Sequence, residues 1–416
     1  MSIQLAPLNQ HMSADALKPL RLDSRDLHHH IHADFARLRH DAPVSLAYMS
    51  RRQKAFLILR YEDCVSLLKE ERLIKNPNTA KASGGQGIPW MPKAFEPLMH
   101  NMLNTDEPDH RRLRNLVHKA FTPKIIAGLT GRIEQIAHDL LDSALAEGGV
   151  DLIQAYALPL PITVIAELVG IPAADRAQFR RWVQRIVVNP TPLNMALAAP
   201  ALWRLLRYFR KLADQRRRDP QDDLLTALAL AEDAGDQFSE DELLGMVFLL
   251  LVAGHETTVN LIGNGTLALL SHPEQLARLR DNPALAESAV EELLRYDGPL
   301  MTTEFSFARE AMTLHGVTIP QGATVLPTLL SANRDEAVFP NADRLDLTRS
   351  PNRHLAFGQG IHYCLGAPLA RLEGRIAFNA LLERAPNLQL AVAPEQLEYK
   401  NIMILHSLKK LPVQLK

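Results

Sequence analysis

From Asp109 to about Arg295, apolar residues recur at three- and four-residue spacing, with Ala, Leu and Arg prominent, the pattern of successive amphipathic helices. Within that stretch, Leu243–Leu270 is nearly all apolar and long enough to span a bilayer. His255, Glu256 and Asn260 lie at its centre, however, where a bilayer would penalise them. The segment therefore reads as a helix buried inside a soluble protein. Ser239 and Glu242 have the spacing of a capping box and predict where this helix opens. Pro190, Pro192 and Pro200 predict a loop between two helices. Strand-like runs are short: Ala55–Leu59, and a hairpin or short strands over Gly316–Gly322. The Gly/Pro-rich stretch Asn76–Pro92 reads as a long mobile loop. An irregular polar stretch over Asn333–Pro351 precedes a helix beginning near Gly366. The class is mainly α with a small β region. No segment resembles a flexible linker, so residues 1–416 read as a single domain, with 1–25 a loosely ordered N-terminal extension.

Charge narrows the partners. Lys and Arg number 46 against 47 Asp and Glu, a net charge of −1, which provides no electrostatic footprint for nucleic acid or an anionic membrane. A small molecule or another protein is the expected partner. Two cysteines, Cys64 and Cys364, make neither a disulfide framework nor a C-x-x-C zinc site, and they suit a reducing cytoplasm. The N-terminus has no uninterrupted apolar run, which argues against a signal peptide or membrane anchor. His28, His29, His30 and His32 read as the start of a surface helix in preference to a metal site, and Arg216–Arg218 as a solvated helix end.

The chemistry concentrates in two places. Gly358, Gly360 and Gly366 surround Cys364, so the backbone there can take positive φ and approach a flat object closely. A helix beginning just beyond the cysteine would favour a thiolate. A lone thiolate among small residues suits a single axial ligand to a large cofactor metal, such as haem iron. A buried structural cysteine in a Gly-rich turn is the alternative. The second place is Ala253-Gly-His-Glu-Thr-Thr258, which interrupts the apolar helix. Ala253 and Gly254 remove bulk, the hydroxyl of Thr257 can reach the carbonyl of Ala253 one turn back, and Glu256 supplies a proton source. Taken alone, this is equally a polar kink. Cys64 has no comparable surroundings and reads as packing.

Phe357, Gly358, Gly360, His362, Cys364, Leu365, Gly366, Leu369, Ala370, Arg371 and Glu373 together resemble, position by position, the haem-binding signature of bacterial cytochrome P-450 enzymes. The order of elements from about Asp26 onward is similar too, with the likeness nearest to polyketide-tailoring hydroxylases. The resemblance implies the cytochrome P-450 fold, a triangular helical prism with a long central helix over the haem. It implies haem b (iron protoporphyrin IX) as cofactor, Cys364 as proximal iron ligand and His362 on a propionate. Phe357, Gly358, Gly366, Ala253 and Gly254 would adjoin the cofactor, and His110 with Arg114, one helical turn apart, would clasp propionates. Glu256 becomes a proton relay, and Thr257 the hydroxyl that assists proton delivery to bound dioxygen.

The implied reaction is monooxygenation: one oxygen atom from dioxygen enters a C–H or C=C bond of a lipophilic, polyketide-type substrate, free or bound to a carrier protein. The signature lies near the C-terminal end, so electrons are expected from a separate ferredoxin and its reductase, with Arg112 as a candidate contact. Ile88–Met91, Val188–Leu193, Leu300–Thr303 and Ile402–Ile404 would line the substrate pocket. The family's structural ion pair maps to Glu292 and Arg295, tied to a later arginine read here as Arg344. One position departs from the pattern: Ser306 stands where the family usually carries a propionate-gripping arginine, and Arg309 would face the opposite way in an extended strand. A peroxide-driven haem-thiolate oxidase and a non-catalytic haem sensor or carrier are the competing functions.

Overall fold

The 31-residue helix Glu240–Leu270 runs through the core of a computed structural model that describes residues 20–24, 27–50, 53–82, 93–186, 192–233 and 235–416. Its start is the predicted capping box: the hydroxyl of Ser239 accepts from the Glu242 amide at 3.3 Å, and the Glu242 carboxylate accepts from the Ser239 amide at 2.8 Å. Although long and apolar enough to cross a membrane, most of its apolar window is buried inside the protein. Helices Pro159–Val169, Ala286–Asp297 and Ala367–Arg384 pack around it. The last of these, which follows Cys364, approaches most tightly at Gly265. A side chain there would begin 2.6 Å from the tip of the Phe378 ring, so only glycine admits this contact.

The β region is small, as expected. Six strands pair in the order Leu20–Arg21, Val44–Tyr48, Lys54–Ile58, Thr324–Pro327, Ser306–Ala308, Leu73–Ile74. The edge strand Leu73–Ile74 runs antiparallel to Ser306–Ala308, with Leu73 opposite Ala308 and Ile74 opposite Phe307. Met312–Leu314 and Val317–Ile319 form the predicted hairpin. A satellite core beneath this sheet holds Val44, Ile58, Phe339 and Cys64. The Cys64 thiol donates to the carbonyl of Ile58 at 3.2 Å, and burial pushes its pKa up, so it is an inert packing residue.

Four sequence expectations are corrected. Pro200 lies inside the helix Pro192–Arg218 and does not end it. Part of the expected loop at 76–92 is the helix Pro77–Ala82, and 83–92 lie outside the described residues. Arg216 is no solvated helix end: it is buried and pairs with Asp223 at 2.5 Å. Helix Leu27–Asp41 does not present all its histidines to water. His28 is buried against His406, with their Nδ1 atoms 3.2 Å apart. His32 and His406 both meet Asp297 Oδ1, at 2.9 and 3.4 Å.

The buried ion pair is present with a different third member. Glu292 and Arg295 are fully buried and joined at 2.7 and 2.9 Å. The arginine that closes on Glu292 is Arg349, at 3.1 and 3.2 Å, whereas the exposed Arg344 contributes only its backbone carbonyl. The turn at Asp346, whose amide also donates to Glu292, brings Arg349 back over the pair. Glu292 thus balances two guanidinium groups. Glu292→Gln keeps the volume and strands that charge, and should cost about 3–5 kcal/mol in urea unfolding. A loss below about 1 kcal/mol would show that the cluster is not structural.

Candidate functional site

The loop before Cys364 is shaped by backbone that side chains resist. Gly358 and Gly360 have φ of +67° and +73°, and a Cβ on Gly360 would begin 2.6 Å from the carbonyl oxygen of Leu68. The Cys364 amide donates to the carbonyl of Phe357 at 2.9 Å, closing the loop on itself. Helix Ala367–Arg384 starts three residues later, with Gly366 at its cap, and the sulfur lies 4.0 Å from where a Gly366 side chain would begin. Burial pushes the Cys364 thiol up, while the amides of Gly366 and Ala367 and the charges of Arg114 and Arg371 act in the opposite sense. Bonding to a metal ion would complete the deprotonation that these groups favour.

Around the loop, side chains brace the site. The Arg371 guanidinium lies 4.5 Å from the Phe357 ring centroid and holds Glu291 in a two-bond fork at 2.7 and 2.8 Å. Burial would raise the pKa of Glu291, but hydrogen bonds from Arg371 and His354 outweigh it and hold the carboxyl at about 2. Arg371 belongs to the cysteine signature, but no local signal marks Glu291, 80 residues away, as its partner.

On the central helix, Thr257 Oγ1 donates to the carbonyl of Ala253 at 2.6 Å, as its spacing predicts, and Thr258 does the same to Gly254 at 3.2 Å. Ala253 is exposed although Leu251, His255, Glu256 and Thr258 on the same helix are buried, so this one face of a core helix opens onto free space. A Cβ on Gly254 would meet only the Ile165 side chain, at 3.7 Å. The Glu256 carboxylate is 2.7 Å from Lys400 Nζ, and its second oxygen is 3.9 Å from His255 Nε2. Lys400 lies 144 residues away, and no local signal marks it as the partner.

The basic residues converge as expected. The rings of His110 and His362 lie 4.3 Å apart. His110 is buried, its Nδ1 lies 3.5 Å from the Glu107 carboxylate and its Nε2 has no hydrogen-bond partner. Burial first, then the charges of Lys75, His110 and Arg114, pushes His362 down to about 3. Arg114 donates to the carbonyls of Ile361 and Tyr363, both at 2.8 Å, which ties its helix to the cysteine loop. A bound group with a carboxylate edge would give His110 Nε2 a partner and balance the Arg114 charge. The thiol loop, the opened face at Ala253 and this cationic rim therefore fit haem.

One sequence reading fails here. Arg112 is committed to Glu242 and Asp236, so it is not a free basic contact for a ferredoxin. Ser306 is buried in its strand while Arg309 is exposed, which confirms that neither supplies a cation from that strand to the cysteine side. The His32, Asp297 and His406 ligand atoms lie within 4.8 Å of one another, but the charge of Arg334 bears on all three and disfavours a cation among them. Of the expected substrate wall, Met301 and Thr302 are buried, 402–404 are half-buried, and 88–91 and 188–191 lie outside the described residues.

A fold dominated by helix, with a lone cysteine in a glycine loop whose following helix packs on the central helix that carries an acid and a threonine, defines a haem-thiolate protein. The family model for Cytochrome P450 matches residues 204–411. Polyketide biosynthesis cytochrome P450 PksS of Bacillus subtilis is 43% identical over 394 residues, 94% of this chain and 97% of that protein. Its solved structure superposes with a TM-score of 0.89, covering 95% of this chain and 99% of the other. Cytochrome P450 monooxygenase PikC of Streptomyces venezuelae is 43% identical over 383 residues, 91% of this chain and 90% of that protein. P450BioI, solved in complex with hexadec-9Z-enoic acid ligated acyl carrier protein, is 35% identical with a TM-score of 0.85, covering 94% of this chain and 99% of that one. The chain belongs to the cytochrome P450 family: it is an oxidoreductase of the monooxygenase type, and its cofactor is haem b.

Behind the central helix, Glu373 is buried beside Thr258 with one oxygen unpartnered, and burial pushes its pKa up to about 8. Its folded value lies above the unfolded one, so the stability it contributes is complete below about pH 4.5 and is lost as pH rises to about 8. Glu373→Gln removes the titration. The stability difference between variant and parent should therefore shift toward the variant by on the order of 3 kcal/mol between about pH 5 and 8, measured by denaturant unfolding. A difference independent of pH would show that Glu373 does not titrate in this window.

Proposed function

We propose that this chain, as one domain, is a cytoplasmic monooxygenase that inserts an oxygen atom into a C–H or C=C bond of a lipophilic polyketide-type metabolite, with electrons from a separate ferredoxin and reductase. The observation that carries the reading is the pairing of the Cys364 loop with the Glu256–Thr257 motif on a helix face that opens at Ala253. PksS, a polyketide biosynthesis cytochrome P450 similar over nine-tenths of the chain, supports the substrate class. The carrier-bound acyl chain in the P450BioI structure makes a tethered substrate the natural variant to test.

When bound, haem supplies a thiolate-ligated iron at which dioxygen is activated. Cys364 holds it from one side, and His110, Arg114 and His362 form the rim that takes its carboxylates. Phe357, Gly358 and Gly366 shape the cysteine side, and Ala253 and Gly254 leave room on the other. Thr257 keeps its hydroxyl proton at Oγ1 on the Ala253 carbonyl and can turn it toward the opened face. Glu256 brings protons to that hydroxyl, and does so by leaving its ion pair with Lys400, because the oxygen that accepts from the ammonium at 2.7 Å is not free to exchange a proton. Lys400 stands two residues before the Ile402–Ile404 turn, so proton delivery and the substrate wall share one segment. The acid–alcohol pair favours dioxygen over peroxide as oxidant, since peroxide already carries the protons that the pair would deliver.

Reconstitution with ferredoxin and reductase should show substrate-dependent consumption of NADPH and dioxygen matched to product, with free and carrier-linked polyketides compared by displacement of the resting haem spectrum. Thr257→Ala should lower product formed per NADPH several-fold and release the balance as peroxide. Unchanged coupling would remove Thr257 from the reaction. Cys364→Ser should abolish the strongly red-shifted absorption of the reduced carbon monoxide complex, and its survival would overturn the ligand assignment.

A further inference from the structure

We propose that Lys75 replaces the arginine missing at position 306 and supplies the cation that grips a haem propionate in this chain. The sheet places it there. Leu73 is paired with Ala308 and Ile74 with Phe307, and Lys75 follows directly where that strand ends, toward the Ser306 end of its partner strand. The positive charge moves to the neighbouring strand without leaving the site.

The backbone fixes this position from the other side as well. Asp106 accepts from the amide of Lys75 at 2.6 Å and from that of Asn76 at 3.2 Å, while its own carbonyl accepts from the amide of His110 at 2.9 Å. Lys75 is thus fastened to the first turn of the helix that carries His110 and Arg114. Its ammonium donates to the carbonyl of Glu304 at 3.0 Å and makes no ion pair among the described residues. An ammonium has three donors. One carbonyl leaves most of that capacity unused in a half-buried place. His110, with Nε2 unpartnered and Nδ1 3.5 Å from the Glu107 carboxylate, belongs to the same rim. Burial pushes Lys75 down to about 8 although Glu304 and Asp106 act to raise it, and an added carboxylate would restore the charged form.

Serine at 306 cannot do this work. Its side chain is short and buried, and the Arg309 amide is tied to the carbonyl of Arg72 with its side chain exposed. The competing role for Lys75 is a purely structural one, as counter-charge to Asp106 and Glu304.

The inference rests on haem b being the cofactor, which the absorption of the purified parent protein reports before any variant is compared. Lys75→Met and Lys75→Arg are then compared by the rate of haem transfer to excess apomyoglobin, by the ferric/ferrous potential and by the unfolding of haem-free protein. Lys75→Met should speed haem loss roughly ten-fold or more and lower the potential, while Lys75→Arg stays near the parent. Haem-free Lys75→Met should unfold like the haem-free parent. Adding Ser306→Arg to Lys75→Met should restore slow haem loss, since both positions lie at the same end of the paired strands. Haem loss unchanged by Lys75→Met overturns the proposal. So does a loss of haem-free stability that alone accounts for faster release and is not rescued by arginine at 306.

Discussion

The Cys364 sulfur can be presented to a flat ligand only because the chain before it bends where ordinary side chains cannot. Gly360 meets two demands at once: a φ of +73° and a carbonyl, that of Leu68, 2.6 Å from where its Cβ would lie. The conformational freedom given up there is offset by bonds that close around the loop. The Cys364 amide reaches back to Phe357, Arg114 holds the carbonyls of Ile361 and Tyr363, and Arg371 lies over Phe357 while gripping Glu291. The sulfur therefore occupies a place defined by its neighbours, and the helix beginning at Ala367 transmits that place to the core.

The separation between the sulfur and the opposite helix is equally a packing result. Gly265 lets Phe378 come against the central helix, and Gly374 lies close to Leu261 of that helix and to Val290. These contacts join the helix that follows Cys364 to the helix that carries Thr257, so the two halves of the site are rigidly related through a close-packed interior. The buried cluster of Glu292, Arg295 and Arg349 anchors the adjacent helix Ala286–Asp297, which also supplies Glu291 to the cysteine loop. Fold and site thus share the same few side chains.

What the sequence disclosed was local. The capping box at Ser239, the bond from Thr257 to Ala253, the hairpin before Gly322 and the glycines around Cys364 all depend on residues within a few positions of one another, where periodicity and backbone sterics decide. What it concealed was tertiary. Arg344 and Arg349 are equally plausible partners for Glu292 until the turn at Asp346 chooses between them. Histidines at the head of a polar helix look solvated until His406 and Asp297 arrive from the far end of the chain. Arg112 and Arg216 look like free surface charge until Glu242 and Asp223 claim them. Pro200 shows the converse, a strong local signal overridden by the packing of a long helix. Lys400 had no local context at all.

The electrostatics of the site follow from this division. On one side of the cofactor's place, Arg114 and Lys75 bring positive charge beside His362, and burial first, then that charge, disfavours protonation of its ring. On the other, Glu256 is already balanced by Lys400. The first arrangement favours a permanently bound anion, because an added carboxylate would pair with the charges of Arg114 and Lys75. The second favours a group that changes partners, because an ion pair holds a carboxylate in place yet can be exchanged. A resident cofactor and the proton path proposed for Glu256 call for opposite charge logic, which the two sides of the site supply.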